Sequence, residues 1–243
     1  MNLVVDCGNT QIKIAVFEHN SLLFNDSIAY PYWQNDLKNY LKKYPKIKNI
    51  IISSVGKIVK EDFLELDFSQ NCHFISQNDK FPFQNLYKSP ETLGMDRMIL
   101  ASGAVLQFPN KHRLVIDAGT CITYDFIDEN NNYLGGAIAP GLKLRYQSLH
   151  TYTAKLPLLT IAKPEKIIGN STNQAIHSGV VNGAAFEIEG FISDFCHDKE
   201  NFIIILTGGD TNFLAKRLKN TIFANSNFLL ESLNQTFQYN QND

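Results

Sequence analysis

Leu3-Val4-Val5-Asp6-Cys7-Gly8-Asn9-Thr10 is a short apolar strand ending in a carboxylate, a glycine and then amide and hydroxyl side chains. The pattern returns at Leu114-Val115-Ile116-Asp117-Ala118-Gly119-Thr120-Cys121. Asp6 and Asp117 are 111 residues apart, and the three apolar residues before each match at that offset. A β-rich segment follows each copy, Gln11 to Phe17 and Ile122 to Ile127. One such stretch is an ordinary hairpin sequence. Two copies with matched upstream strands describe hairpins that wrap a polyphosphate and its metal ion. The glycine lets the backbone approach phosphates, turn N–H groups form an anion nest, and the carboxylate holds Mg²⁺ through water. Two such hairpins facing each other across a cleft point to an ATP-using phosphotransferase. The copies differ in one respect. Apolar alternation runs Ile12, Ile14, Val16 in the first and Ile122, Tyr124, Phe126 in the second, one residue out of phase at the 111 offset. A bulge, or a strand covered on both faces, would account for this.

Bulk properties narrow the class. A chain of 243 residues has room for one large domain or two of about 120. The duplication favours two related lobes, 1–110 and 111–243. With 44% hydrophobic and 19% charged residues, the composition is that of a soluble globular protein with ample core. No apolar run approaches the ~18 residues needed to span a membrane, so no membrane association is expected. The N-terminus enters a strand at once with no basic segment, which argues against export. Cys7, Cys72, Cys121 and Cys196 form no CxxC pair and read as reduced thiols of a cytoplasmic protein. Cys7 and Cys121 sit inside the glycine turns and are expected to be oxidation-sensitive. A net charge of −2 gives no case for nucleic acid binding.

Along the chain, three strands joined by tight turns occupy Leu3 to Tyr30. A helix at Trp33 to Tyr44, a strand at Ile47 to Ser54, a short helix at Lys57 to Leu66 and a strand at Cys72 to Ser76 follow. Asn78 to Ser89 reads as a loop, and a helix starts near Glu91 or Thr92 and runs to Phe108. The plan then repeats, with strands at Arg113 to Asp117, Thr120 to Ile127 and Tyr133 to Ala139 and a helix from Gly141 to His150. After a loop at Pro157 to Ile168, Thr172 to Phe195 is a long apolar-periodic helix. Phe202 to Leu206 is the last central strand, and two short helices flank Thr221 to Asn225. Two mixed βββαβα units make an α/β architecture with helices on both faces of each sheet.

Neither G-x-x-x-x-G-K-[ST] nor G-x-G-x-x-G occurs, which disfavours a P-loop or Rossmann enzyme, and no HExxH or His/Cys cluster suggests zinc. In the first hairpin, Asn9 and Thr10 can donate to phosphates and Lys13 can reach them, although Lys13 reads equally well as a solvated strand lysine. Asp6 is the stronger candidate, because a carboxylate ending a buried strand is costly without a metal or donors. A second constellation is Tyr87-Lys88-Ser89-Pro90-Glu91-Thr92-Leu93-Gly94-Met95-Asp96-Arg97. An acidic residue in a first helical turn normally just complements the dipole. Beside a phosphate site, Asp96 can take the proton from an acceptor hydroxyl and Arg97 can clamp an anionic group of the same substrate.

Asp6-Cys7-Gly8-Asn9-Thr10, Gly94-Met95-Asp96-Arg97 and Asp117-Ala118-Gly119-Thr120, in this order, resemble type III pantothenate kinase. That family belongs to the superfamily of acetate and sugar kinases, heat-shock cognate proteins and actin. The likeness continues through Tyr133 to Gly141, Leu156-Pro157, Gly169 to Thr172 and Leu206 to Asp210, and so covers nearly the whole chain. Met95 stands where the family usually has alanine, and Cys121 where it has a small or apolar residue; neither change removes a catalytic group. The resemblance implies duplicated actin-like, ribonuclease H-like lobes and ATP-dependent phosphorylation of pantothenate in coenzyme A synthesis. It implies that Asp6, Cys7, Gly8, Asn9, Thr10, Gln11, Ile12 and Lys13 bind ATP phosphates, with Asp6 on the Mg²⁺ side, and that Thr120 contacts ATP. Tyr87, Gly94, Met95, Asp96, Arg97 and Thr172 would bind pantothenate, with Asp96 as base. Asp117 would hold a monovalent cation, K⁺ or NH₄⁺, and the protein would be a homodimer. Two alternatives stay open: a catalytically silent paralogue acting as a regulatory or accessory protein, and a related kinase or phosphatase of the superfamily acting on another hydroxylated acid.

Overall fold

The computed structural model describes residues 1–8, 10–54, 58–64, 70–197 and 199–241. The chain forms two compact units, Met1–Pro109 with Asn227–Asp243, and Asn110–Ser226.

In the first unit the opening hairpin is β1 (Asn2–Cys7) and β2 (Ile12–Glu18), antiparallel, with β3 (Ser21–Ile28) beyond β2. Helix α1 (Trp33–Lys43) leads to β4 (Asn49–Ser54), parallel to β1, and α2 (Lys60–Leu64) to β5 (Asn71–Phe74), parallel to β4. The sheet order is β3-β2-β1-β4-β5. Residues 57, 65 and 66 of the expected short helix lie outside the described residues. Strand alternation sends Leu3, Val5, Cys7, Ile12, Ile14, Val16, Ile50 and Ile52 to one face, where Trp33, Leu37 and Phe63 close over them. Each large side chain removed from water contributes ~1.5–3 kcal/mol. The opposite face therefore carries Val4, Asp6, Lys13, Ala15, Ile51 and Ser53. Against these strands lie α3 (Met95–Gln107) and α8 (Phe228–Gln241).

Two details depart from expectation in this unit. The stretch at 78–89 includes a two-residue strand, β6 (Gln84–Asn85). The helix expected from Glu91 or Thr92 starts at Met95, because Pro90–Thr92 is a separate 3₁₀ turn. Pro90 presets that turn and the Thr92 hydroxyl closes it by donating to Ser89 O at 2.9 Å. Leu93 then leaves helical geometry, at ψ 124°.

The second unit repeats the plan: β7 (His112–Ala118), β8 (Cys121–Ile127), β9 (Asn132–Pro140), α4 (Leu142–Thr151), β10 (Phe202–Thr207), α7 (Thr211–Ala215) and β11 (Phe223–Ala224). Its strands order β9-β8-β7-β10-β11, the succession of the first sheet. Between α4 and β10 runs one long helical segment: α5 (Thr172–His177), a π-helical turn (Ser178–Asn182) and α6 (Gly183–Cys196). Leu114, Ile116, Tyr124, Leu206, Tyr146, Val181, Ile188 and Leu214 share the core.

The phase conflict between the hairpins has a simple origin. Cys7 pairs with Ile12 across a four-residue turn, whereas Ala118 pairs with Ile122 across a three-residue one. Both second strands are irregular at the equivalent place, Val16/Phe17 and Phe126/Ile127, so a bulge is not the difference.

At the C-terminus α7 is short, but α8 has 14 residues and groups with the first unit rather than with residues 111–243. It buries Leu229, Leu230, Leu233 and Phe237. Asn234 accepts from Asn2 Nδ2 at 2.9 Å and donates to His19 O at 2.8 Å.

Candidate functional site

Asp6 lies at the C-terminal end of β1, 5% exposed, opposite Lys13 on β2 and in register with Ser53 on β4. Carboxyl ends of parallel strands are where open α/β sheets bind ligands. The turn is closed by Gly8 N donating to Gln11 O at 3.2 Å, and the Tyr30 hydroxyl donates to Gly8 O. Thr10 and Gln11 are exposed and Lys13 is half-buried on the Asp6 face; Asn9 lies outside the described residues. Cys7 and Ile12 point into the core on the other face, so only their backbones are available to a phosphate. Burial, and secondarily the Asp6 charge, push the Cys7 thiol up to about 12. The expected oxidation sensitivity therefore does not hold for Cys7, because the thiolate is the reactive form. Cys121, in the other turn, is exposed.

Asp96 and Arg97 open the buried helix α3. Asp96 Oδ1 accepts from Arg97 N at 2.9 Å, and a Cβ on Gly94 would sit 2.5 Å from that oxygen. Glycine at 94 is thus what lets the carboxylate fold over the helix start. Arg97 is 6% exposed, with its guanidinium 5.9 Å from the Tyr87 ring centre. Tyr87 N in turn donates to Asn85 Oδ1 at 3.0 Å. A base and a cation held by an aromatic wall can take a hydroxylated anion. Met95, beside them, is half-buried.

In the second unit Asp117 is in register with Thr123 on β8 and Thr207 on β10. Its turn is held from two sides. Gly141 N donates to Thr120 O at 3.0 Å, and Asp210 N donates to Ala118 O at 2.9 Å. Gly208 has φ +94°, and a Cβ there would lie 2.3 Å from Asp117 Oδ1 and 2.4 Å from Ala118 O. Two hard oxygens therefore converge on this glycine. Burial raises the Asp210 carboxyl above its usual range. Thr120 is exposed, and Thr172 is exposed at the start of α5, where Ser171 Oγ accepts from Gln174 N at 3.4 Å.

The structure thus gathers Asp6 with Lys13 on one sheet face, Tyr87 with Arg97 and Asp96 around the start of α3, and Asp117 with the turns at 119–121 and 208–210. Sequence reasoning missed Tyr30, Ser53, Thr123 and Thr207. A signal existed for two of them. Ser53 and Thr207 each follow an apolar strand run, Ile50-Ile51-Ile52 and Ile203-Ile204-Ile205-Leu206, as Asp6 and Asp117 do.

A family model described as type III pantothenate kinase matches residues 2–194. A type III pantothenate kinase of Flavobacterium johnsoniae is 61% identical over 239 residues, 98% of each chain. That of Christiangramia forsetii is 46% identical over 243 residues, 99% of each. Among solved structures, a protein of Campylobacter jejuni described as a Baf family transcriptional activator superposes with TM-score 0.62 at 22% identity, covering 99% of this chain and 100% of that one. A glucokinase from an Antarctic psychrotroph gives 0.54 at 13% identity, covering 100% and 99%. At these identities the structural likeness is one of fold, the duplicated actin-like architecture of sugar kinases. The family match runs through both hairpins and the Gly94–Arg97 element, and full-length relatives carry the same description, so the chain belongs to the type III pantothenate kinase family.

Proposed function

We propose that the protein transfers the γ-phosphoryl group of ATP to the primary hydroxyl of pantothenate, giving 4′-phosphopantothenate and ADP in coenzyme A synthesis. Family membership supports the reaction, and the paired Asp96 and Arg97 at the head of α3 is the observation that carries it. Asp96 accepts the hydroxyl proton as the oxygen attacks phosphorus and the bond to the ADP oxygen breaks. Arg97, backed by Tyr87, binds the pantothenate carboxylate, with Gly94, Met95 and Thr172 completing the acceptor site. The turn from Asp6 to Lys13 and Thr120 take the ATP phosphates.

A divalent metal, which we assign as Mg²⁺, neutralises charge on the transferring group when bound. Among the described residues no trio of His, Cys, Asp or Glu forms a metal cage. Mg²⁺ needs none, since with ATP it keeps waters and takes one or two carboxylates; Asp6 fits. Asp117 Oδ1 and Ala118 O, converging on Gly208, are hard oxygen donors that suit K⁺ or NH₄⁺. Asp117 is the residue we assign to that cation.

We further propose a homodimer through the long helix. Gly179, Gly183, Phe186 and Gly190 recur at helical spacing. A Cβ at any of the three glycines would meet nothing within 4 Å, and Phe186 is 61% exposed. Among the described residues nothing fills the space beside these three glycines, and a second copy of the helix fits there. No helix among the described residues is long and apolar enough to cross a membrane, and we place the reaction in the cytoplasm.

The test is ADP release by purified protein with Mg-ATP, with and without pantothenate, in KCl and in NaCl. Turnover should require pantothenate, rise with K⁺, and fall ~10²–10⁴-fold in Asp96→Asn. Faster phosphorylation of a sugar or of acetate would overturn the assignment.

A further inference from the structure

Among the described residues, three buried hydroxyl oxygens at the ends of the central strands have no hydrogen-bond partner: Ser53 Oγ, Thr123 Oγ1 and Thr207 Oγ1. Ser53 is 0% exposed and Thr207 1%. Their placement is duplicated. Ser53 is the register partner of Asp6 on the parallel neighbour β4, and Thr207 is the register partner of Asp117 on the parallel neighbour β10. Register-matched residues on adjacent strands are about 4.8 Å apart and project from the same face. Each carboxylate therefore has a short hydroxyl beside it, and Asp117 has Thr123 on its other side as well.

An unpartnered buried hydroxyl costs stability. Alanine at 53 or valine at 207 would remove that cost at nearly the same volume, and both fit the apolar runs that precede these positions. Both copies of the repeated sheet nevertheless place a hydroxyl at the same point.

We infer that Ser53 and Thr207 are positioning residues, each donating a hydrogen bond to its neighbouring carboxylate, Asp6 or Asp117, when that carboxylate engages the nucleotide and its cations. The inference rests on the roles given to the two aspartates above. A carboxylate that serves a cation through one oxygen needs its other oxygen held. A hydroxyl does this by rotating its O–H without adding charge, and donation to an ionised acceptor is among the stronger hydrogen bonds.

Ser53→Ala, Thr207→Val and the conservative Thr207→Ser separate this role from a purely structural one. The readings are the Tm of each protein alone and its calorimetric affinity for Mg-ADP. Pantothenate is absent throughout, so the outcome is independent of acceptor identity. Ser53→Ala and Thr207→Val should match or exceed the wild-type Tm, since no bond is lost in the fold itself. Their Mg-ADP affinity should drop roughly tenfold, as expected for one charge-assisted hydrogen bond. Thr207→Ser should bind like wild type. Unchanged affinity in both truncated variants overturns the inference. So does an affinity loss that comes with a lowered Tm and is shared by Thr207→Ser. A wild-type protein that does not bind Mg-ADP at all overturns the kinase reading, and this inference with it.

Discussion

Cys7 and Asp6 are neighbours in sequence with opposite environments, because successive strand residues face opposite ways. Asp6 looks to the face with Lys13 and Ser53, while Cys7 looks into the core. Its thiol, pushed up to about 12, has a consequence for stability. An unfolded thiol ionises near 8.5. Between there and about 12 the folded state holds a proton that the unfolded state has released, so stability present at lower pH is lost as pH rises. Cys7 alone should take away up to about 1.4 kcal/mol per pH unit over that window. Thermal melts between pH 8 and 11 should fall less steeply for Cys7→Ala than for wild type. In the same protein at pH 8, a thiol reagent should label the exposed Cys121 and leave Cys7 unmodified until unfolding; early loss of Cys7 would contradict its placement. The carboxylate-glycine pattern made Asp6 and Asp117 legible from sequence. It could not separate Cys7 and Ile12, which share the turn's neighbourhood but serve the core.

At the scale of elements, the two hairpins show what sequence matching resolves and what it does not. The repeat was readable because apolar strand, acid and glycine recur together. The turn lengths were not, because a one-residue difference in a turn leaves strand composition intact and shifts only the pairing. That shift sets Lys13 opposite Asp6 but Thr123 opposite Asp117, giving the first hairpin a cation where the second has a hydroxyl. The Gly208-Gly209 turn allows a sharp test. Gly208 combines φ +94° with a Cβ position 2.3 Å from Asp117 Oδ1, whereas a Cβ on Gly209 would meet nothing within 4 Å. Gly208→Ala should cost ~1–3 kcal/mol and Gly209→Ala within about 0.5 kcal/mol, as read by chemical denaturation. Equal costs would mean that the turn does not press on Asp117.

For the molecule as a whole, the chain's last helix closes the unit with which the chain began. Asn234 ties α8 to Asn2 and His19, and a Cβ on Gly103 of α3 would fall 1.8 Å from Ser232 Oγ, so the two helices touch closely. Removing residues 227–243 should abolish cooperative unfolding of the first unit, measured by hydrogen exchange, because the burial of Leu229, Leu230, Leu233 and Phe237 is lost together. Protection of β1 and β4 surviving the truncation would refute this. The proposed dimer is tested by Phe186→Glu, which should turn a dimer into a monomer in sedimentation with little change in Tm if the helix face is the interface. The sequence by itself determined the duplicated α/β plan, the two aspartate hairpins and the Gly94–Arg97 element, because periodicity, glycine turns and acid placement are local and survive in a linear string. Only the tertiary structure decided that α8 belongs with residues more than 200 positions earlier, that Ser53 and Thr207 are register partners of the two aspartates, and that a Cβ on the glycines of the long helix would meet nothing within 4 Å among the described residues. Those relations come from strand register and long-range burial, which no short window of sequence contains.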